Sequence, residues 1–147
     1  MLYEADGFGV GELLLEEDLV LWHELPRPGY EPSGQHPLAE RLKLYFSGTR
    51  DDFADVQLDL SWCTPFQHAV VTSLRGVGRG ETVTYGELAA LAGHPGASRA
   101  AGSFCAHNRF GIIVPCHRVV AAGGLGGYGS LGADYKRRLL AIEGVTA

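Results

Sequence analysis

The sequence predicts an α+β fold in two parts, a small α/β first half (residues 1–61) and a mostly helical second half (residues 62–147). Three observations carry that division. Val10 to Leu15 and Leu19 to Trp22 are apolar runs separated by Glu16-Glu17-Asp18, the pattern of a hairpin. Thr64-Pro65 and Thr84-Tyr85-Gly86-Glu87 are helix starts, the second with capping-box spacing. The charge also changes sign: residues 1–61 hold four Lys/Arg against thirteen Asp/Glu, and residues 62–147 hold eight against four. Such asymmetry points to separate roles for the halves. The basic half can face phosphates, as the acidic half cannot; ordinary solubility charge is the alternative.

The elements follow in order. After the hairpin, Pro26 to Pro37 is rich in Pro and Gly and reads as a loop. A helix starts at Pro37, buries Leu38, Leu42, Tyr45 and Phe46 on one face, and stops at Gly48. Val56, Leu58 and Leu60 alternate with polar residues, as in a half-buried strand. No catalytic constellation appears in this half, which reads as scaffold.

In the second half, the helix opened by Thr64 has Phe66, Val70 and Leu74 on its apolar face, and Gly76, Gly78 and Gly80 break it. A second helix should run from Tyr85 to Gly93 and a third from Ala97 to Ala106. Two short helices joined by a Gly/Pro turn resemble a helix-turn-helix, although most such hairpins do not bind DNA. The third helix carries one long cation, Arg99, among small residues such as Ala100, Gly102 and Ser103, a surface that another backbone can approach closely. The run Gly123 to Gly129 is dense in glycine but lacks phosphate-loop spacing. Asp134 reads as the cap of a last helix ending at Ile142. Lys136, Arg137 and Arg138 in its first turns oppose the helix dipole, which fits either an anionic partner or a solvated face.

Composition excludes several classes. No apolar run approaches the roughly 18 residues of a membrane span, and Met1-Leu2-Tyr3-Glu4 does not start a signal peptide. Three cysteines, Cys63, Cys105 and Cys116, are an odd number and suit a reducing cytoplasm. None forms a C-x-x-C pair, so no metal site is expected.

Pro115-Cys116-His117-Arg118 is the most informative stretch. A free cysteine is only about 3% thiolate at neutral pH, so a reactive one needs electrostatic help. An imidazole and a guanidinium in the next two residues can supply it. Local chemistry alone favours a buried cysteine beside a surface His-Arg pair.

The order Thr82-Val83-Thr84-Tyr85-Gly86-Glu87-Leu88-Ala89, Asn108, Pro115 to Val120, Lys136 to Leu140 and Glu143-Gly144 resembles the O6-alkylguanine–DNA alkyltransferases, also called methylated-DNA–protein-cysteine methyltransferases. The likeness is close over residues 62–145; Tyr45-Phe46-Ser47-Gly48 and Leu58-Asp59-Leu60 extend it weakly into the first half. The resemblance implies a ribonuclease-H-like scaffold over 1–61 and a winged helix-turn-helix-like acceptor domain over 62–147. It implies a single-turnover S-methyltransferase, without cofactor, that moves an alkyl group from O6 of guanine to Cys116 after base flipping. The implied partner is double-stranded DNA carrying O6-alkylguanine, with O4-alkylthymine as a further substrate, bound by a monomer.

By match, His117 is the base acting through a water and Glu143 orients it. Asn108 ties the turn before the acceptor, and Tyr85 donates to the departing guanine. Arg99 replaces the extruded base, and Ala100, Gly102, Ser103, Arg118 and Val119 join it in the substrate and DNA surface. Tyr128 walls the guanine pocket, and the Gly129 N–H reaches O6. The alternative is an alkyltransferase-like or winged-helix DNA-binding protein without transfer activity; alkyltransferase-like proteins lack the acceptor cysteine, which this chain has. Two departures stand out. Gly111 occupies a position that is often proline, which points to a more open wall, and Cys105 falls near the pocket.

Overall fold

In a computed structural model, described over residues 1–146, the chain forms two compact units. Met1–Asp59 and Arg109–Ile113 make the first, and Leu60–Asn108 with the chain from Val114 onward make the second. The fold is mixed α/β, and among the described residues no helix is long and apolar enough to cross a membrane.

The first unit is an antiparallel sheet of β1 (Leu2–Ala5), β2 (Gly9–Glu16) and β3 (Leu19–Arg27), in that order, with helix α1 (Pro37–Phe46). The expected hairpin is β2–β3, with Leu13 opposite His23. Strand β1 escaped the sequence reading because its four residues are too few for alternation to register. Tyr3, Leu13, Val20, Leu42, Tyr45 and Phe53 fill the core. α1 starts at Pro37 as expected, capped by His36, whose Nδ1 accepts from the Leu38 N–H at 3.1 Å. Part of the acidic excess is structural: Arg41 donates to both Asp51 and Asp55 at 2.8–3.0 Å.

The strand expected over Val56–Leu60 does not form. Val20 bridges to it, through its N–H to Gln57 O (3.0 Å) and its carbonyl to the Asp59 N–H (2.9 Å). Three residues on, β3 gives its edge to another segment. The His23 N–H donates to Arg109 O at 2.8 Å, and the imidazole Nδ1–H donates to Gly111 O at 2.6 Å. One edge shared by two segments leaves neither long enough to be a strand. Residues 109–113, which the sequence division placed with the second half, join the first unit here. Gly111 is buried, and the side chain of Leu25 lies where a Cβ would project, so this wall is filled rather than open. Beyond it, buried Ile112 has φ 73°, a left-handed conformation that is rare for a β-branched residue and costs about 1–3 kcal/mol.

The second unit contains α2 (Pro65–Arg75), β4 (Val83–Thr84), α3 (Tyr85–Leu91), α4 (Ser98–Ala106), β5 (Val119–Val120) and α5 (Ala133–Ile142). The capping box expected at Thr84 forms, and Thr64 opens α2 with another. Thr64 and Gln67 exchange hydrogen bonds at 2.9 and 3.2 Å, and Thr84 and Glu87 do so at 2.9 and 3.1 Å. β4 and β5 pair in parallel, Val83 with Val119 and Thr84 with Val120, an element too short to read from sequence. The expected cap of α5 is corrected: Gly132 (φ 85°) occupies the N-cap, and Asp134 lies inside the first turn, paired with Arg137. The chain reaches the helix through a positive-φ turn that aspartate adopts less readily than glycine.

His23 offers a test of the first unit. Burial lowers its pKa to about 4, and the hydrogen bond to Gly111 O offsets only part of that; in the neutral ring Nδ1–H donates to Gly111 O and Nε2 accepts from the Tyr3 hydroxyl at 2.6 Å. The unfolded histidine, near 6.5, binds its proton first as pH falls, so this contribution to stability is complete above pH 6.5 and is lost between 6.5 and about 4. The gap corresponds to about 3 kcal/mol. Urea denaturation at pH 7 and pH 4.5 should show the loss, and a His23→Gln variant should flatten that part of the profile.

Candidate active site

Cys116 opens a single turn of 3-10 helix, Cys116–Arg118, immediately before β5. Its residue is 3% exposed and its N–H donates to Val114 O at 2.8 Å. Asn108, just past α4, holds the thiol from the side: its Nδ2 donates to Val114 O at 2.9 Å and to Cys116 Sγ at 3.1 Å. Cys105 lies in the last turn of α4, half-buried. Burial pushes the Cys116 thiol well above its ordinary pKa, with Cys105 adding to the rise; the Asn108 amide and the Lys136 charge pull the other way. At rest the thiol is protonated.

Next to it, His117 Nε2–H donates to Glu143 Oε2 at 2.9 Å, with both side chains fully buried. Glu143 caps the C-terminus of α5 and is held from its other side by Arg118. Arg118 Nε and Nη2 donate to the two carboxylate oxygens at 2.9 and 2.8 Å, and Nη1 donates to Val77 O at 2.7 Å. Burial lowers the His117 pKa more than Glu143 raises it, so the imidazole is neutral at physiological pH. Because Nε2 carries the proton given to Glu143, the lone pair of this neutral ring lies on Nδ1.

Two residues expected on the DNA surface lie inside instead. Arg118 is 6% exposed, its guanidinium committed to Glu143 and Val77, and Val119 is fully buried in β5. The others lie outward or at the edge. Arg99, Ala100, Ser103 and Gly129 are exposed, while Gly102, Tyr85 and Tyr128 are partly so. The Tyr85 ring lies against Gly102, where an added Cβ would sit 3.7 Å from it, and its hydroxyl would lie 3.5 Å from a Cβ at Gly126. Burial, followed by the facing Cys105 and Cys116, raises the Tyr85 pKa and keeps its hydroxyl a donor. Tyr128 stacks on Tyr135 with centroids 6.2 Å apart.

The sequence reading missed Lys136. It is fully buried, and its Nζ donates to Leu125 O at 2.8 Å and Gly127 O at 3.1 Å, 5.8 Å from the Tyr85 ring centroid. One ammonium thus shapes the glycine-rich loop and lends positive potential to Cys116. Burial lowers its own pKa. The signal was present in spacing: Lys136, Leu139, Leu140 and Glu143 stand at i, i+3, i+4 and i+7, the buried stripe of α5, with two ionisable groups in it.

A buried cysteine, an adjacent imidazole and a carboxylate orienting that imidazole form an activated-nucleophile constellation on a mixed α/β scaffold. That class includes hydrolases and transferases, and comparison with known proteins selects within it. The family model for the DNA-binding domain of 6-O-methylguanine DNA methyltransferase matches residues 65–145. A methylated-DNA–protein-cysteine methyltransferase of Mycolicibacterium paratuberculosis is 45% identical over 124 residues, covering 78% of this chain and 73% of that protein. One from Methanothermobacter thermautotrophicus is 34% identical over 139 residues, covering 94% and 76%. Among solved structures, Mycobacterium tuberculosis OGT in complex with DNA aligns with a TM-score of 0.82 at 38% identity, over 97% of this chain and 91% of that one. The chain belongs to the methylated-DNA–protein-cysteine methyltransferase family.

The Arg118 clamp separates two roles experimentally. Arg118→Leu leaves the buried Glu143 carboxylate without its cation, a change that costs about 3–5 kcal/mol. Thermal and urea melts should show that loss. A surface phosphate contact would instead weaken DNA binding and leave the melts unchanged.

Proposed function

We propose that this chain repairs DNA by direct reversal, taking an alkyl group from O6 of guanine irreversibly onto Cys116. The observation that carries the proposal is the buried His117–Glu143 pair beside a thiol held by Asn108, all within the segment that matches the family model. The neutral imidazole takes the Cys116 proton through a water. The thiolate attacks the alkyl carbon, the carbon–O6 bond breaks, and its electron pair leaves on guanine. A hydrogen bond from Tyr85 stabilises that leaving group, and the proton taken from Cys116 is passed on to neutralise it. The products are guanine in DNA and a thioether on Cys116. A thioether holds the alkyl group by a stable carbon–sulfur bond, so in this reading each molecule acts once.

In this reading the second half is a winged helix-turn-helix-like unit that meets double-stranded DNA through α4, and the first half is a ribonuclease-H-like scaffold. The target base must leave the stack, because a thiol cannot reach O6 inside a duplex; extrusion costs a few kcal/mol. Arg99, exposed on α4, fills the vacated space, and the small Ala100, Gly102 and Ser103 allow close approach to the groove walls. Tyr128 and the Gly129 N–H border the guanine pocket, which Lys136 holds in place through the loop. A monomer acting in the cytoplasm suits a stoichiometric reagent of this size, and O4-alkylthymine fits the same chemistry.

Incubation with duplex DNA containing O6-methylguanine should leave one methyl group, in place of a proton, on the Cys116 peptide, read by mass spectrometry. Cys116→Ser should bind the same DNA and gain nothing. Repeated turnover, or no transfer by the intact protein, would overturn the proposal. The pH dependence is a second test. Because burial lowers the His117 pKa, the base stays neutral below 6.5, so the single-turnover rate should hold through pH 6.5 and decline only at more acid pH. A decline centred on the ordinary histidine value would place the titrating base elsewhere.

A further inference from the structure

His23 is bonded to a segment that leads into the acceptor, and the proposed reaction gives it no part. Its backbone N–H donates to Arg109 O at 2.8 Å and its Nδ1–H to Gly111 O at 2.6 Å, so the first unit holds residues 109–113 at two points. The ring is itself fixed, because Nε2 accepts from the Tyr3 hydroxyl at 2.6 Å. Phe110 is fully buried, and the Arg109 guanidinium lies over Trp22. One residue past Gly111, buried Ile112 is held at φ 73°. A β-branched residue keeps such a conformation only where its surroundings enforce it. Asn108 and Val114 flank the segment and clasp its base, Nδ2–H to carbonyl, at 2.9 Å. The same Nδ2 donates to Cys116 Sγ at 3.1 Å. A short loop is thus closed at its base by the amide that holds the acceptor sulfur, and fastened along its length by an imidazole.

We propose that His23 is a positioning residue for the acceptor: its hydrogen bond to Gly111 O fixes residues 109–113, and these fix the clasp from which Asn108 reaches Cys116 Sγ. Only five residues join Asn108 to Val114, so a shift in their middle is passed to both ends. An N–H on the sulfur favours the thiolate over the thiol. A loosened clasp withdraws that support and leaves the Lys136 charge to ease ionisation alone. His23 acts through Asn108 and exchanges no proton in the reaction. Its neutral ring is the form that serves both partners, with one N–H for Gly111 O and one lone pair for Tyr3. The first half, read as scaffold, in this way sets how readily the acceptor ionises.

The consequence for repair rests on the function proposed above, while the effect on the thiol does not, so the thiol is read first. Iodoacetamide consumes thiolate, and trypsin, cutting after Arg109 and Arg118, isolates Cys116 from the other cysteines in peptide 110–118. Asparagine places its amide where Nδ1 stands and glutamine where Nε2 stands, so His23→Asn keeps the bond to Gly111 O and His23→Gln loses it. In the full chain, His23→Gln should slow Cys116 alkylation near pH 8 about tenfold, the equivalent of one pH unit in thiol ionisation. His23→Leu, which offers no donor, should do the same. His23→Asn should keep the parent rate. So should Val20→Ala, which disturbs β3 where it meets residues 57–59 instead. A double-mutant cycle separates positioning from general loosening: Asn108→Ala should slow alkylation by itself, and His23→Gln should then add nothing. With O6-methylguanine DNA, His23→Gln should lower the limiting single-turnover rate and leave DNA affinity unchanged. Unchanged or faster alkylation in both the Gln and Leu variants overturns the proposal. A full effect of His23→Gln on top of Asn108→Ala, or an equal effect of Val20→Ala, overturns it too. Slowed alkylation in variants of a parent that accepts no methyl group upholds the positioning role and overturns the repair function.

Discussion

The Glu143 carboxylate, buried between His117 and Arg118, is the constraint on which the acceptor site depends. A carboxylate removed from water is tolerated only with its charge compensated and its lone pairs occupied. Arg118 meets both demands with a two-pronged contact and gives a further N–H to Val77 O, which ties the segment just past α2 to the acceptor turn. The histidine then receives a fixed acceptor for Nε2–H, which decides its tautomer and leaves Nδ1 as the basic nitrogen. Three consecutive residues thereby do three things. In the proposed reaction Cys116 carries the chemistry and His117 the proton, while Arg118 supplies the charge that compensates the buried carboxylate.

The same burial sets the state of the thiol. A catalytic cysteine that turns over repeatedly gains from being a thiolate at rest. A thiol consumed by its reaction does not, since every stray electrophile would exhaust it. Here burial and the neighbouring Cys105 hold the proton on, while Asn108 and Lys136 supply part of the stabilisation that a thiolate would need. The balance favours a thiol that ionises only when a base and a substrate are both in place. Lys136 links that balance to geometry, because the ammonium that biases the sulfur also fixes Leu125 and Gly127 of the loop. Loop position and thiol reactivity are therefore not independent.

What could be read from the sequence was what is encoded locally. The helix starts at Thr64-Pro65 and at Thr84 to Glu87 are set within a few residues, and the β2–β3 hairpin is contiguous, so these were legible; the Thr64–Gln67 capping box was not read. The β4–β5 pair joins residues 36 apart through two positions each, and no periodicity announces it. The strand pattern at Val56, Leu58 and Leu60 was a real burial pattern without a ladder, because β3 had already committed its edge at His23. At the site, residue identity and order disclosed Cys116, His117 and Glu143 through family likeness, yet the partners of Arg118 and Lys136 could not be guessed. Both read as surface cations, and both are buried because a distant acceptor, a carboxylate or a pair of loop carbonyls, makes burial affordable.

That reassignment changes what the charge of the second half can mean. Of its eight Lys/Arg, Arg118 and Lys136 are internal, and Arg79 donates to Ile142 O at the end of α5. Arg137 is paired with Asp134, and Arg109 lies over Trp22 in the first unit. The positive balance thus overstates the charge available to a phosphate backbone, although counterion release scales with the phosphates neutralised. A surface with few cations to offer must draw its grip on DNA from close contact. In the proposed docking the small side chains of α4 supply that, since Ala100, Gly102 and Ser103 place little bulk on its surface. The composition of that helix, more than the net charge around it, is the feature of this half suited to a duplex.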